Sequence, residues 1–214
     1  MRLRDRVIPL VDLRRRLGMP GLDEEREALV TMLAERRADH IRWLEALERS
    51  VREGVRFDLA TDPHKCAFGR WYDTFRTEDP AFAHHLEKFD EPHRRIHGIA
   101  TRCLDLRQRG DEAAAIRLVE DTRNGYLSDM LLLFDAAVAM LRDRTRELVM
   151  AVRAGTVHAG LLVDRVQSVT SCRPGQEERP PGEGLAGAFV TSLVKLSDGS
   201  LVKVLDVEGL VATL

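Results

Sequence analysis

The sequence predicts an α+β protein: an antiparallel helical bundle inserted into a loop of a β-domain. Two observations carry this. The texture is β-like at both ends of the chain and helical between them. The central part holds long runs of helically spaced apolar residues with few breakers, the pattern of antiparallel helices joined by short connections. The ends of such a bundle can lie close together, so it can leave and re-enter a host domain at one loop.

Taken in chain order, residues 1–21 read as β. "RVIPLVDLRRRLG" (Arg6 to Gly18) is a short apolar run of strand type followed by a basic stretch, and Pro20-Gly21 breaks it. A first helix opens on Asp23, Glu24 and Glu25, as a helix start should. Leu29, Met32, Leu33, Ile41, Leu44 and Leu47 then recur at helical spacing until Gly54. An irregular stretch follows, with "DPHKCAFGRWY" (Asp62 to Tyr72) and one short helix after Phe68. A second helix is expected from "EDPAFAHHLEKF", with Pro80 tolerated in its first turn, and on to Gly110. A third is expected from Asp111 through "MLLLFDAAVAML". The bundle therefore spans 22–147.

Over 148–214 the texture reverts to β. "ELVMAVRAGTVHAGLLVDRVQSVTS" is valine-rich and breaks at Ala154-Gly155. "RPGQEERPPGEG" reads as a loop. "AGAFVTSLVKLSDGSLVKVLDVEGLV" reads as a hairpin turning at Asp198-Gly199, then a short terminal helix.

Composition narrows the function. The 214 residues carry 33 Lys+Arg against 35 Asp+Glu, a net charge of -2, so charge makes no case for a nucleic-acid partner. The 3 cysteines are too few for a disulfide framework, which points to a reducing, cytoplasmic setting. The apolar run "VIPLV" is too short for a signal peptide, and "MLLLFDAAVAML" is cut by Asp135 and far below about 20 residues, so no membrane insertion is expected. No Ser-His-Asp order, Gly-rich phosphate loop or Walker-type motif occurs, so no catalysis is expected.

The histidines and cysteines carry more. His93 and His97 are i and i+4 on one helix face, a spacing that suits two imidazoles on one metal ion. His40 sits midway along the first helix and can face them if the first two helices are antiparallel. Cys66 comes from the connecting turn. Three imidazoles and one thiolate form a borderline-soft tetrahedral set that favours zinc. Spacing alone leaves alternatives open: i,i+4 histidines are common, a lone cysteine is more often a small hydrophobe, and His64 competes for the place beside Cys66. Cys103 reads as core and His84-His85 as helix surface with one ring at most turned inward. Cys172 and His158 fall in the β texture.

"HIRW" from His40, "CAFGRWY" from Cys66 and "HRRIH" from His93 closely resemble the chemoreceptor zinc-binding (CZB) family over about residues 24–145. The resemblance implies a helical bundle, often a homodimer, that reports zinc or oxidants to signalling proteins. It implies zinc ligands at His40, Cys66, His93 and His97, with Phe68, Gly69 and Trp71 shaping the turn that presents the thiolate. The flanks resemble a second family, the CheW-like adaptors that couple chemoreceptors to the histidine kinase CheA. "LRDRVIPLVDLRRRLG", "GLLVDRVQSV" (Gly160 to Val169, a strand pair in that family) and the closing hairpin carry this likeness. It implies a partial CheW-like β-barrel, whose first strands would precede residue 1, and a receptor or kinase contact at Arg4. Asp5 stands where that family usually has glycine.

The expectation is a non-enzymatic cytoplasmic adaptor with a zinc-thiolate that senses zinc or hypochlorous acid. A di-iron helical bundle is the enzyme-like alternative, and a scaffold that only binds partners is the other. Glu-x-x-His pairs, which a di-iron site would need, do not occur in two copies.

Overall fold

The computed structural model describes residues 2–3, 6–143, 148–171, 177–178, 189–196 and 198–212. The chain divides into two compact units, one built from residues 1–25 together with 145–214, the other from residues 26–144.

The second unit is helical. Helix α2 (Leu22–Glu53) opens with three acidic residues near the positive end of the helix dipole. It stops where Gly54 takes φ 79°, a left-handed backbone that glycine adopts without steric cost. A 3₁₀ turn at Pro63–Lys65 leads into α3 (Ala67–Thr74), and α4 is Pro80–Glu87, with Asp79 accepting from the N–H groups of Ala81 and Phe82.

The expected long second helix is two helices. The backbone breaks at Lys88 and Phe89 before α5 (Asp90–Gln108) begins. No glycine marks the break. Phe89 turns inward, is fully buried, and lies 4.8 Å from Phe134 and 5.2 Å from Phe68 between ring centres. Helix α6 (Glu112–Thr122) and α7 (Ser128–Asp143) are joined through a π-helical turn at Arg123–Leu127. By length and composition the run Glu112–Asp143 is apolar enough to cross a membrane, beyond what the Met130–Leu141 stretch alone suggests. In the bundle its inward residues Ala115, Val119, Met130, Phe134 and Ala137 are fully buried.

One continuous core joins these helices, with Leu33, Leu44, Leu47, Phe68, Ile96 and Phe134 at its centre. Each such side chain contributes about 1.5–3 kcal/mol by leaving water.

The first unit is β-rich. Strands β1 (Arg2–Leu3) and β2 (Arg6–Val7) pair antiparallel. Strand β3 (Leu10–Asp12) runs parallel to β5 (Val157–Val163), with Leu10 opposite Gly160. Strand β4 (Leu148–Ala154) pairs antiparallel with β5 across the turn at Gly155, where φ is 55°. A Cβ at Gly160 would lie 2.6 Å from the Val149 side chain and 2.7 Å from that of Leu10, so a larger residue there would make both side chains shift.

The basic stretch after β3 is helix α1 (Leu13–Arg16), capped by Asp12. Arg14, nearly buried, pairs with Glu25 at 2.7 Å and Asp164 at 3.2 Å. The expected strand pair in "GLLVDRVQSV" is a single strand, since the chain leaves β5 at Asp164 and runs irregularly to Ser171. The third sheet orders β6 (Glu177–Glu178), β7 (Val190–Lys195) and β8 (Leu201–Leu205), and helix α8 (Val207–Val211) follows. A short strand thus lies within the stretch expected to be only loop. Gly199 supplies the left-handed residue of the β7–β8 turn, with φ 86°. Arg4, Cys172 and most of the proline-rich stretch lie outside the described residues.

Candidate metal centre

Four side chains from three helices meet inside the bundle. His40 comes from the middle of α2, Cys66 from the N-cap of α3, and His93 and His97 from successive turns of α5. One donor atom from each lies within 4.8 Å of the others. A tetrahedral zinc ion with bonds of about 2.0–2.3 Å holds its donors about 3.3–3.8 Å apart. The cluster therefore needs only small side-chain adjustments to close on such an ion.

Helical geometry explains the pairing within α5. The i,i+4 spacing stacks the two imidazoles one turn apart, with ring centres 4.8 Å apart and planes at 90°. The His40 ring stands 5.1 Å from His93 and 5.7 Å from His97. Phe68 and Phe134 close the apolar side, with Phe68 meeting both His40 and His93 edge-on.

The backbone fixes two tautomers. His40 Nδ1 lies 2.7 Å from the Arg36 carbonyl, and His97 Nδ1 lies 3.0 Å from the Ala60 carbonyl. A carbonyl oxygen only accepts, so both Nδ1 atoms carry the proton and donate it. Each Nε2 is then left with a bare lone pair, and both Nε2 atoms are buried without a hydrogen-bond partner among the described residues. Two buried, orphaned acceptors aimed into one cluster fit a cation in want of ligands.

Electrostatics agree. Burial is the largest cause lowering the His40 pKa, and it pushes His93 to about 2 and His97 to about 4, with the neighbouring imidazoles adding to it. The rings are therefore neutral at physiological pH, the form that binds metal. Cys66 is pushed above the ordinary thiol value by burial, against the lowering effect of the Gly69 and Phe68 N–H groups. Its Sγ lies 3.2 Å from His93 Nε2 and accepts from Gly69 N at 3.2 Å. The sulfur is thus both a member of the cluster and the cap of α3.

Gly69 makes this possible. A Cβ there would overlap the Pro63 carbonyl oxygen, so only glycine lets α3 seat against the 3₁₀ turn.

The competing residues sit elsewhere. His64 is exposed and pairs with Asp73 at 3.0 Å. His84 is exposed beside Glu87, whereas His85 is buried and donates from Nε2 to the Leu133 carbonyl at 2.9 Å. Cys103 is fully buried in the core, and His158 lies on β5. No carboxylate belongs to the four-donor cluster, so the donors a di-iron site needs are not assembled there. Sequence reasoning missed the Arg36 and Ala60 carbonyls. A main-chain oxygen has no residue-type signal by which to find it.

Comparison with family models gives two successive matches. The chemoreceptor zinc-binding domain matches residues 40–104, a span that contains all four clustered donors. The CheW-like domain matches residues 128–214. No curated protein and no solved structure matches the chain. The donor set and its matched domain agree on zinc as the ion this cluster could hold.

Proposed function

We propose that this chain, which carries a chemoreceptor zinc-binding domain followed by a CheW-like domain, is a cytoplasmic, non-enzymatic chemotaxis adaptor whose zinc–thiolate site responds to oxidant. The observation that carries the reading is the cluster of His40, Cys66, His93 and His97, with two buried Nε2 atoms that no described residue satisfies. These four residues are the zinc ligands. The CheW-like part supplies the contacts to chemoreceptors and a CheA-type kinase, and the bundle can serve as a dimer interface. Arg4 is the contact carried over from the CheW-like family. The bundle is an insertion within the β-rich unit; the parallel pairing of β3 with β5, strands on either side of the bundle in sequence, supports this.

A bound zinc ion supplies Lewis acidity that keeps Cys66 ionised at neutral pH. The residues of the chain do the rest. The His40 and His97 imidazoles are held in place by backbone carbonyls, and Phe68 packs edge-on against His40 and His93. Cys66 Sγ, the one sulfur among them, is the nucleophile. With hypochlorous acid the thiolate becomes a sulfenic acid and chloride leaves: sulfur loses two electrons and the oxidant gains them. A sulfenic acid is a poorer donor to the cluster and a different cap for α3, because Gly69 N–H now meets an altered group. Oxidation therefore loosens two things at one atom, the donor set and the start of a helix.

The test measures zinc per chain in purified protein, before and after one equivalent of hypochlorous acid, beside Cys66→Ala. One zinc per chain, lost in step with Cys66 oxidation, is the expected result. Zinc retained while Cys66 oxidises leaves a structural site and removes the sensing role.

A further inference from the structure

The four clustered donors differ in their access to solvent. His40, His93 and His97 are at most 5% exposed, while Cys66 is only half-buried. Cys66 lines an open cleft of about 560 Å³ between α2 and the segment 54–60, and none of the three histidines does. Two other cavities of the bundle, one around Gly98 and Tyr126 and one around Ala34 and Val138, touch none of the four donors.

The cleft has an apolar wall and a charged rim. Trp43, Ala46, Phe57, Leu59 and Ala67 form the wall. Arg42, Arg49 and Arg56 stand in the lining with only Asp39 and Asp58 as counter-charges. Arg42 pairs with Asp39 and Arg56 with Asp58, so among the described lining residues Arg49 is left as the uncompensated cation.

We infer that this cleft is the route by which small solutes reach Cys66, and that its arginines make it favour anionic solutes over cationic ones. The inference rests on the assignment of Cys66 as the reactive thiol of the donor cluster. A cleft with apolar walls and a net positive lining raises the local concentration of anions over that of cations. Anionic oxidants such as hypochlorite or peroxynitrite would then gain over neutral peroxide at this sulfur.

Two methanethiosulfonates of similar size, one bearing a sulfonate and one a quaternary ammonium, test the route on the full chain. In each, the Cys66 thiolate attacks the sulfenyl sulfur, an S–S bond forms, and methanesulfinate leaves with the electron pair. Rates at Cys66 are read by peptide mass spectrometry, on zinc-loaded and on chelator-treated protein. Leu59→Trp, on an exposed position, and Ala46→Phe narrow the cleft and should slow both reagents. Arg49→Glu should lower the sulfonate-to-ammonium rate ratio by about tenfold and leave zinc content unchanged. Unaltered rates in both narrowing variants overturn the route, and an unaltered ratio in Arg49→Glu overturns the charge selection. A wild-type chain that binds no zinc overturns the proposed function instead, and the labelling of chelator-treated protein still decides the route.

Discussion

Trp43 and His97 donate to the same oxygen. Trp43 Nε1 lies 2.8 Å and His97 Nδ1 3.0 Å from the carbonyl of Ala60, and the two rings are 4.7 Å apart. The Ala60 carbonyl is therefore held in place from one side and holds a cluster histidine on the other. Trp43→Phe keeps most of the packing and deletes the first of these bonds. Because an outer partner orients the inner ligand, zinc affinity should fall by about tenfold, read by competition with a chromophoric chelator. An unchanged affinity would mean that Ala60 is positioned without Trp43.

The two histidines near Cys66 should behave differently. His93→Ala removes a buried ring 3.2 Å from Sγ, and affinity should fall by more than the about 10–100-fold typical of an outer partner. His64→Ala removes an exposed ring paired with Asp73, and affinity should hardly move. Equal losses in the two variants would place the wrong imidazole in the cluster.

Gly69→Ala should both destabilise the bundle and weaken zinc binding. The added Cβ runs into the Pro63 carbonyl oxygen, a backbone atom that cannot swing aside as a side chain can. Overpacking of this kind costs about 1–3 kcal/mol, measurable by urea unfolding of the metal-free chain. Seating α3 differently also displaces Cys66, so the metal titration should report the same substitution.

Cys103 gives a pH-dependent prediction. Burial raises its pKa from an ordinary 9.0 to about 11. The folded state then holds this proton more tightly than the unfolded state, so its contribution is intact below about pH 9 and is lost as pH rises towards about 11. The alkaline fall in the urea midpoint should be shallower in Cys103→Ala than in the wild type. In native protein at about pH 8, iodoacetamide should label Cys103 only after unfolding.

Much of the bundle is legible in the residues. The acidic start and Gly54 stop of α2, the i,i+4 pair on α5, and the turn at Gly199 each follow from a local rule. The break at Lys88 and Phe89 does not, because burial of Phe89 decides it and neither residue is a breaker. The π-helical turn at Arg123–Leu127 does carry a breaker pair, Asn124-Gly125, but the helical pattern continues on both sides of it, and the residues do not distinguish a π turn from a chain break. In the β-rich unit, β3 is three residues long and finds its partner far away, beyond the reach of periodicity. At the metal centre the side-chain donors carry their own signal. Their orienting carbonyls emerge only once the chain is folded.

The pairing of Leu10 with Gly160 also sets a clock. Its loop closes over the whole helical stretch, and loop-closure entropy must be overcome before the contact gives anything back. Helices of the bundle form from near neighbours and can assemble early, whereas this parallel ladder is among the most non-local contacts in the chain. Refolding should therefore show helical ellipticity returning well before the β3–β5 amides become protected from hydrogen exchange. A chain emerging from the ribosome faces the same order: β3 is synthesised first and waits, unpaired, until β5 follows some 150 residues later.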